Sequence, residues 1–341
     1  GEYVRYREFL DFWEPRLFPH GDFTKYAEAE KTFYDNFYSG NKTLSNSDPW
    51  DEVGPVITPV NATSTPNIGP IEFISFFESN PSYMLCGALK GVLFYSSDAG
   101  ANWANAGTDI QWARSGCGSA VFDPDDHKTW YASASGQADG TSTFIFYTGG
   151  IYSTMDEGQT WQQIADYNDL GGIWTSIYKL LIDPSNGETL YAATSVGIYK
   201  TTNASSENPS WTKLIINIPS SIDSDPNYGS EYYDYSGSAR FCYDIEFMPN
   251  NSQIIYTTIK FVGKNLDGNN NHYVDYWKYL YSVNGGFTWN ELPNQPNALD
   301  NFFQIEAPDG NLLHYANAAS LTIEVSKANA NRLYSLIDRN V

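Results

Sequence analysis

The chain has 341 residues, and its 19 Lys and Arg against 40 Asp and Glu give a formal net charge of -21. An acidic surface of this kind repels nucleic acids and anionic membranes, because phosphate contacts need clustered Lys and Arg. The sequence therefore predicts no nucleic-acid partner. It also predicts no membrane-spanning segment, because no run of about 18 apolar residues is present. Aromatic residues reach 16% and include 26 Tyr, which favours strands and turns over helices.

Residues 1–50 form an N-terminal extension that differs in composition from the rest of the chain. Aromatic and apolar residues at helical spacing predict one amphipathic helix over residues 22–38, beginning near Asp22. Pro15 and Pro19 interrupt the segment before it. We predict a partly helical extension that either packs on the rim of the following domain or serves as a docking peptide.

From residue 51 to residue 341 the sequence is organised by a repeat. Each copy has an apolar run ending at a Pro or Asn turn, a short β-like segment, an alternating aromatic segment, and a turn that ends in Trp. Four short antiparallel strands explain this order, and sheets stacked side by side would cover both apolar faces of each sheet. We therefore predict an all-β fold, a β-propeller of four-stranded antiparallel blades. The predicted blades lie near 71–116, 117–175, 176–240 and 241–318, with an incomplete fifth blade at 319–341.

The Trp-terminated turns share an Asp or Asn, a Gly and the Trp. Two copies lie at 97–103 and 154–161, a third at 282–289 has Asn in place of Asp, and the copy at 201–211 is longer and lacks the Gly. Gly permits a positive φ, the Asp or Asn side chain accepts backbone N–H groups, and we expect the Trp to fold back onto its own blade. We predict a structural and not a catalytic role for Asp98, Gly100, Trp103, Asp156, Gly158, Trp161, Asn284, Gly286 and Trp289.

These turns resemble the Asp-box, or BNR repeat, with the pattern Ser/Thr-x-Asp-x-Gly-x-Thr-Trp. Asp-boxes occur in sialidases, xyloglucan-type glucanases, sortilin-type receptors and many secreted bacterial propellers, so the resemblance implies a secreted, sortilin-like propeller. The phrase FWEPRLFPHGDF, followed by DEVGP and the propeller, resembles secreted proteins of Bacteroidetes that leave by the type IX pathway. This resemblance implies a secreted or outer-cell-surface protein, with secretion or outer-membrane machinery among its partners.

Those proteins usually carry a C-terminal sorting domain, and none is visible in this sequence. Together with the incomplete fifth blade, this predicts a fragment of a larger protein. The alternative is an open array that another chain completes.

The long connections of the predicted blades all lie at one end of the sheets. They are the insertions 135–149 and 262–277 and the linkers 104–115, 165–175, 214–240 and 291–318. Flat rings among acidic and amide side chains suit a glycan or a protein partner, although the same rings could simply pack the loops down. The candidate ligand-binding residues are Trp112, Arg114, Trp174, Tyr232, Tyr233, Tyr235, Tyr276 and Trp277.

The sequence gives little support for a metal or another cofactor. Alternating Asn and Asp residues around Asp267 loosely resemble a calcium loop, but the closing Glu is missing, so an ordinary polar turn is the other interpretation. Cys86, Cys117 and Cys242 lack zinc-ligand spacing. We expect them to be small buried residues in strands, with one disulfide pair left open as an alternative.

Three functions remain open from the sequence. We predict a non-catalytic binding or adhesion module for a glycan or a surface protein. The first alternative is a sialidase- or glucanase-like glycoside hydrolase with part of its site elsewhere, because no spacing singles out a carboxylate pair among Glu231, Asp234, Asp244 and Asp275. The second alternative is a structural component of a surface or secretion assembly.

Overall fold

The structure of the chain is a computed structural model. It describes residues 71–87, 92–112, 116–137, 146–172, 175–217, 240–265, 273–293, 295, 303–306, 312–315 and 318–339. The chain divides into two compact units, Gly1–Glu52 and Val53–Val341, and all described residues belong to the second. The predicted helix over residues 22–38 lies outside the described residues.

Strands dominate the described part of the chain and form four four-stranded sheets and two two-stranded ones. The first sheet contains β1 (Phe73–Phe76), β2 (Met84–Gly87), β3 (Leu93–Ser96) and β4 (Ala104–Asn105). The second contains β5 (Gly116–Phe122), β6 (Trp130–Gln137), β7 (Phe146–Thr154) and β8 (Gln162–Ala165). The third contains β9 (Ile177–Asp183), β10 (Asn186–Thr194), β11 (Gly197–Thr201) and β12 (Thr212–Lys213). The fourth contains β13 (Arg240–Met248), β14 (Asn251–Asn265), β15 (Tyr273–Ser282) and β16 (Asn290–Glu291).

The two small sheets complete the list. A hairpin is formed by β17 (Phe303–Glu306) and β18 (Leu312–Tyr315), and the last sheet, called the fifth sheet below, pairs β19 (Ala318–Val325) with β20 (Leu333–Arg339). One short helix, α1 (Thr108–Gln111), follows β4. Among the described residues no helix has the length and apolar character needed to cross a bilayer.

Each four-stranded sheet is an antiparallel meander, and the first strands of successive sheets lie against one another. Both faces of an inner sheet are covered, which explains the nearly continuous apolar runs in the sequence. In β10, Leu190 and Ala192 pack in the cluster shared with the second sheet, whereas Tyr191 and Ala193 pack in the cluster shared with the fourth. The all-β, β-propeller fold predicted from the repeat is thereby confirmed.

The meander gives every sheet two distinct ends. We call the end with the first-to-second-strand turns and the Trp-terminated turns the box end. The other, the loop end, carries the second-to-third-strand hairpins and the linkers between sheets. Part of what the sequence suggested to be loop there is regular structure: the 104–115 linker contains α1, the 291–318 linker contains the β17–β18 hairpin, and β14 and β15 extend into the 262–277 insertion.

The three cysteines are buried and unpaired in strands β2, β5 and β13. Burial raises the pKa of the Cys86 and Cys242 thiols to about 12, so these thiols are neutral at physiological pH. The structure therefore agrees with cysteines that act as small apolar residues.

Candidate functional site

The Trp-terminated turns at 96–103, 154–161 and 282–289, called the box turns below, have the same hydrogen bonds. In the first, Ser96 Oγ donates to Asp98 Oδ1 at 2.9 Å and accepts from Gly100 N at 2.9 Å. Asp98 Oδ1 also accepts from Asn102 N at 2.8 Å. The equivalent bonds in the other two turns measure 2.7 to 3.0 Å. The hydroxyl belongs to Ser96, so the turn begins one residue before the start predicted from the sequence, Ser97.

The longer turn at 201–211 keeps the anchor without the Gly. Thr201 Oγ1 donates to Asn203 Oδ1 at 2.9 Å, and Ser210 N donates to the same oxygen at 3.0 Å across seven residues. A side-chain oxygen at this position therefore organises the turn whatever its length.

The hydrogen bonds also tune the carboxylates. Side-chain and backbone bonds from Asn102, and the Ser96 hydroxyl, lower the pKa of Asp98 below its usual value. At Asp156, burial raises the pKa, but hydrogen bonds from Thr160 and Thr154 outweigh burial, and the pKa is lowered overall. Both side chains are thus held in the charged state by their own turns.

A second regular contact ties each box turn to its own sheet. The residue after the Asp or Asn has a left-handed backbone, with φ of 58° at Ala99, 58° at Glu157 and 65° at Gly285. Its N–H donates to a carbonyl in or just after the first-to-second-strand turn, for example from Ala99 to Ser82 at 2.9 Å. The box ends of the first, second and fourth sheets are therefore tied together by backbone bonds.

Two of the turn tryptophans, Trp161 and Trp211, donate to a neighbouring sheet. Trp161 Nε1 donates to Ala106 O, just after β4, at 2.9 Å, and Trp211 Nε1 donates to Ile164 O in β8 at 3.0 Å. For these two residues the expectation that the Trp folds back onto its own blade is wrong, because each indole bonds to the preceding sheet, in its last strand or at the residue just after it. Trp289 packs against the cluster between the third and fourth sheets, yet its buried Nε1 has no partner among the described residues.

Most of the candidate ligand-binding residues lie outside the described residues. These are Arg114, Trp174, Tyr232, Tyr233 and Tyr235, together with Asp267 of the suggested calcium loop. Tyr276 lies in β15, where its backbone pairs with Phe261.

Two candidates are buried. Trp112 is 7% exposed, with its ring stacked on Tyr152 at 5.3 Å and edge-on to Trp161 at 5.0 Å. Trp277 is 4% exposed and packs between the fourth and fifth sheets. The prediction that these two rings present a face to a ligand is wrong, because the neighbouring sheets cover both rings.

A group of stacked rings near the loop end was not anticipated as a set. Tyr178 in β9 stacks on Tyr243 in β13 at 4.6 Å between ring centres, and Phe241 lies nearly parallel to Tyr243 at 6.2 Å. Tyr243 also meets the Trp277 ring at 5.1 Å. Lys260 Nζ lies 5.3 Å from the centre of Phe241 and 5.8 Å from that of Trp277, within cation–π range. We call these five residues the aromatic group.

The aromatic group combines ring faces with polar groups. Tyr178, Phe241 and Tyr243 are partly exposed. Burial raises the pKa of Tyr178, and the hydrogen-bonded Tyr243 hydroxyl adds to the shift. The indole N–H of Trp277 is buried without a hydrogen-bond partner among the described residues. Because this atom is buried, the faces of the group open to a ligand are those of Tyr178, Phe241 and Tyr243.

The next residues along the same two strands form a charged cluster. Lys179 Nζ in β9 contacts Asp244 Oδ1 at 2.7 Å and also Glu246 Oε1, both in β13. Asp244 Oδ1 accepts from Ile245 N at 2.8 Å, and Asp244 Oδ2 accepts from Ile323 N in β19 at 2.7 Å. One buried carboxylate therefore connects the third, fourth and fifth sheets. We call Lys179, Asp244 and Glu246 the inner cluster.

Burial and charge act in opposite directions on the inner cluster. Burial by itself lowers the pKa of Lys179, but the charges of Glu246 and Asp244 outweigh it and raise the pKa above the usual lysine range. Burial raises the pKa of Glu246 to about 7, with the nearby Asp244 and Glu324 charges adding to it and Lys179 opposing it. Lys179 therefore stays charged at neutral pH, while Glu246 is poised to titrate there.

No group of three or more His, Cys, Asp or Glu side chains suited to a metal ion occurs in the part of the chain that the structure describes. In the inner cluster, the two carboxylates lie against the ammonium group of Lys179.

Comparisons with known proteins identify no family for this chain. No protein-family model matches the sequence, and no curated protein matches it. Among solved structures, an ancestral GH74 enzyme aligns with a TM-score of 0.43 at 17% identity, over 65% of this chain and 25% of that chain. The GH74 enzyme of Niastella koreensis aligns with a TM-score of 0.39 at 18% identity, over 79% of this chain and 44% of that chain.

A third solved structure, YCF48 bound to a D1 peptide, aligns with a TM-score of 0.32 at 14% identity, over 66% of this chain and 81% of that chain. All three are β-propeller proteins. The chain thus spans less than half of either GH74 chain, and at these identities the likeness concerns the fold alone.

Proposed function

We propose that this chain is a binding propeller of a secreted or cell-surface protein, and that it binds a glycan at the aromatic group near the loop end. The observation that supports the proposal is the stack of Tyr178, Tyr243 and Phe241, whose rings are partly exposed. Flat ring faces of this kind pack against the C–H faces of sugars.

The box end supports the same assignment by contrast. Its turns are closed by hydrogen bonds within each sheet, whereas the loop end carries the long connections of a rigid scaffold. Binding residues concentrate on loops of this kind. Secretion by the type IX pathway, and contact with outer-membrane machinery, are part of the proposal and are supported only by the sequence resemblance.

The glycoside hydrolase alternative is less well supported by the described carboxylates. Asp244 and Glu246 lie two residues apart on β13, and the Lys179 ammonium lies against both. Asp244 also has both oxygens engaged by backbone N–H groups. A hydrolase needs two carboxylates facing the scissile bond, one of them free to attack it or to activate water.

A binding experiment with a matched pair of variants tests the proposal. Immobilised β-glucans, xylans, mannans and sialylated oligosaccharides are probed with the chain, and the affinity for the best ligand is measured by calorimetry. We expect Tyr243→Leu, which keeps apolar bulk but removes the flat face, to weaken binding by about 1–3 kcal/mol. Phe287→Leu, an aromatic 74% exposed at the box end, serves as the control and should bind normally.

Three results would contradict the proposal. They are no binding to any of the glycans, equal losses in the two variants, or release of reducing sugar by the wild-type chain. Thermal unfolding of Tyr243→Leu, compared with the wild type, separates a lost contact from a lost fold.

A further inference from the structure

The stack of Tyr178 on Tyr243 joins two sheets that share no strand pairing. Tyr178 lies in β9 and Tyr243 in β13, the first strands of the third and fourth sheets, and each strand pairs within its own sheet. The ring centres are nevertheless 4.6 Å apart, with 22° between the ring planes. The spacing of the two rings therefore depends on side-chain contacts between the sheets.

Each of these tyrosines is the extra residue of a β-bulge. In β9, the residues on either side of Tyr178 pair with consecutive residues of β10, and in β13 the residues on either side of Tyr243 pair with consecutive residues of β14. A bulge bends its strand and re-aims the side chains around it. This explains how consecutive residues of β9, Tyr178 and Lys179, both contact β13, although neighbouring residues of a regular strand point to opposite faces.

The contact beside the stack is the ion pair of the inner cluster. Lys179 Nζ lies 2.7 Å from Asp244 Oδ1 and also contacts Glu246. The Asp244 carboxylate is itself held in place, because Oδ1 accepts from Ile245 N at 2.8 Å and Oδ2 accepts from Ile323 N at 2.7 Å. Lys179 is therefore bonded to a fixed point on β13, at the residue directly after the stacked tyrosine of that strand.

The second and third sheets show the same level of the propeller without this ion pair. Ser119 Oγ in β5 accepts from Leu180 N in β9 at 2.9 Å, as Asp244 accepts from the sheet that follows it. The residue before Ser119 is Gly118, which has no ring. At the corresponding positions, β13 therefore supplies both a carboxylate for Lys179 and a ring for the stack, whereas β5 supplies neither.

We propose that Lys179 is a positioning residue for the glycan site, because its bonds to the two carboxylates hold the stacked tyrosines in the arrangement on which a sugar ring packs. The inference rests on the proposed function and adds the residue that orders its binding surface. A ligand that meets rings already held in place loses less binding free energy to ordering them. An ion pair suits this role, because charge-assisted hydrogen bonds are short and directional, whereas apolar contacts are non-directional.

The position of the rings is tested first in the chain without a ligand. Meta-fluorotyrosine is placed at Tyr243, and its fluorine NMR signal reports the nearby ring of Tyr178, since stacked rings shift each other's resonances. Tyr178→Leu gives the signal of the unstacked ring. We expect Lys179→Met, which removes the charge, to move the signal toward that of Tyr178→Leu. Lys179→Arg, which keeps the charge, should keep the signal close to that of the wild type.

The second measurement is the affinity for defined oligosaccharides. Cellohexaose, xylohexaose, mannohexaose and sialyllactose are titrated by calorimetry, and the one that binds best is used for all variants. We expect Lys179→Met to weaken binding about fivefold or more, and Lys179→Arg to restore most of the affinity. In the Tyr243→Leu chain, Lys179→Met should change the affinity by less than about twofold, because a positioning residue acts through the ring that this chain lacks.

Lys200→Met is the matched control, because Lys200 also joins the third sheet to the fourth. Its Nζ donates to Gly285 O at 3.2 Å, at the box end. This change should alter neither the fluorine signal nor the affinity, and thermal unfolding shows whether each variant is folded at the temperature of measurement. If Lys179→Met does not fold, Lys179→Gln, which keeps a donor for the carboxylates, is measured in its place and is expected to act in the same direction.

The two measurements separate this inference from the proposed function. An unchanged fluorine signal in Lys179→Met overturns the inference whether or not a glycan binds. A signal that moves while the affinity stays constant also overturns it, as does a Lys200→Met chain that binds as weakly as Lys179→Met. A signal that moves in a chain that binds none of the oligosaccharides supports the positioning of the rings and contradicts the proposed function alone.

Discussion

The box turns and the inner cluster stabilise the same propeller in different ways. The box turns repeat one set of hydrogen bonds in three sheets, with an extended version in the third sheet at 201–211, and each set is local to a few residues. The inner cluster occurs once among the described residues and joins three sheets through Asp244. Because the turns are repeated and local, the loss of one turn leaves the others intact. The inner cluster joins three sheets at one place, so its loss affects all three. Mutations should therefore have small effects at the first and large effects at the second.

The largest effect is expected from Asp244→Ala. The change leaves the N–H groups of Ile245 and Ile323 without their acceptor and removes one of the two counter-charges of Lys179. Breaking a buried ion pair from one side costs roughly 3–5 kcal/mol, so we expect a loss of that size in the free energy of unfolding. Chemical denaturation measures it. Asp125→Ala, at an exposed position, is the control. Similar losses of unfolding free energy in the two variants would show that the inner cluster contributes no more than an exposed carboxylate.

The two regions should respond to pH in opposite directions. The pKa of Glu246 is raised by burial from 4.5 to about 7, so the folded state binds a proton that the unfolded state has released. This contribution is fully present below about pH 4.5 and is lost as the pH rises through about 7. At about 1.4 kcal/mol per pH unit of pKa shift, it amounts to at most about 3 to 4 kcal/mol. The pKa values of Asp98 and Asp156 are lowered, so their contribution is present at neutral pH and is lost in acid.

Glu246→Gln isolates the first of these contributions. The difference in unfolding free energy between the wild type and this variant, followed from pH 4.5 to 7.5, should change in favour of the variant as the pH rises. A difference that is constant with pH, or one that moves in favour of the wild type, would show that Glu246 is ionised in the folded protein throughout.

The smallest effect comes from comparing two box tryptophans. Trp161→Phe removes the indole bond to Ala106 O, whereas Trp289→Phe removes an N–H that has no partner among the described residues. The loss of ring volume is common to both. We expect Trp161→Phe to be the more destabilising by about 1 kcal/mol, measured by thermal and chemical unfolding. Equal losses would mean that the indole bond to the preceding sheet adds no net stability.

The sequence predicts the repeated features of the molecule because each has a local signature. The Trp-terminated turns, with Asp98 and Asp156 in fixed register with alternating apolar segments, were enough to predict the four-stranded sheets and the propeller. The Asn203 anchor was not among the predicted structural residues, because its turn is longer and lacks the Gly, although its side chain also bonds to residues in its own turn.

The features that depend on distant residues could not be predicted in the same way. Lys179 meets Asp244 and Glu246 across 65 and 67 residues, and no spacing in the sequence marks that encounter. Trp112 and Trp277 are predicted as ligand-binding residues because aromatic rings in long connections are expected to be exposed. Their burial is decided by the neighbouring sheets, which a linear pattern does not reveal.

The bonds from Trp161 and Trp211 to the sheet before them bear on how such a chain can be cut and recombined. A segment excised from the first strand to the Trp would carry a donor whose acceptor stays behind. Grafting, duplication or circular permutation should therefore use modules that start at the fourth strand of one repeat and end after the Trp of the next. By the same reasoning, the structural module that these two indole bonds close is offset from the sheets by one strand.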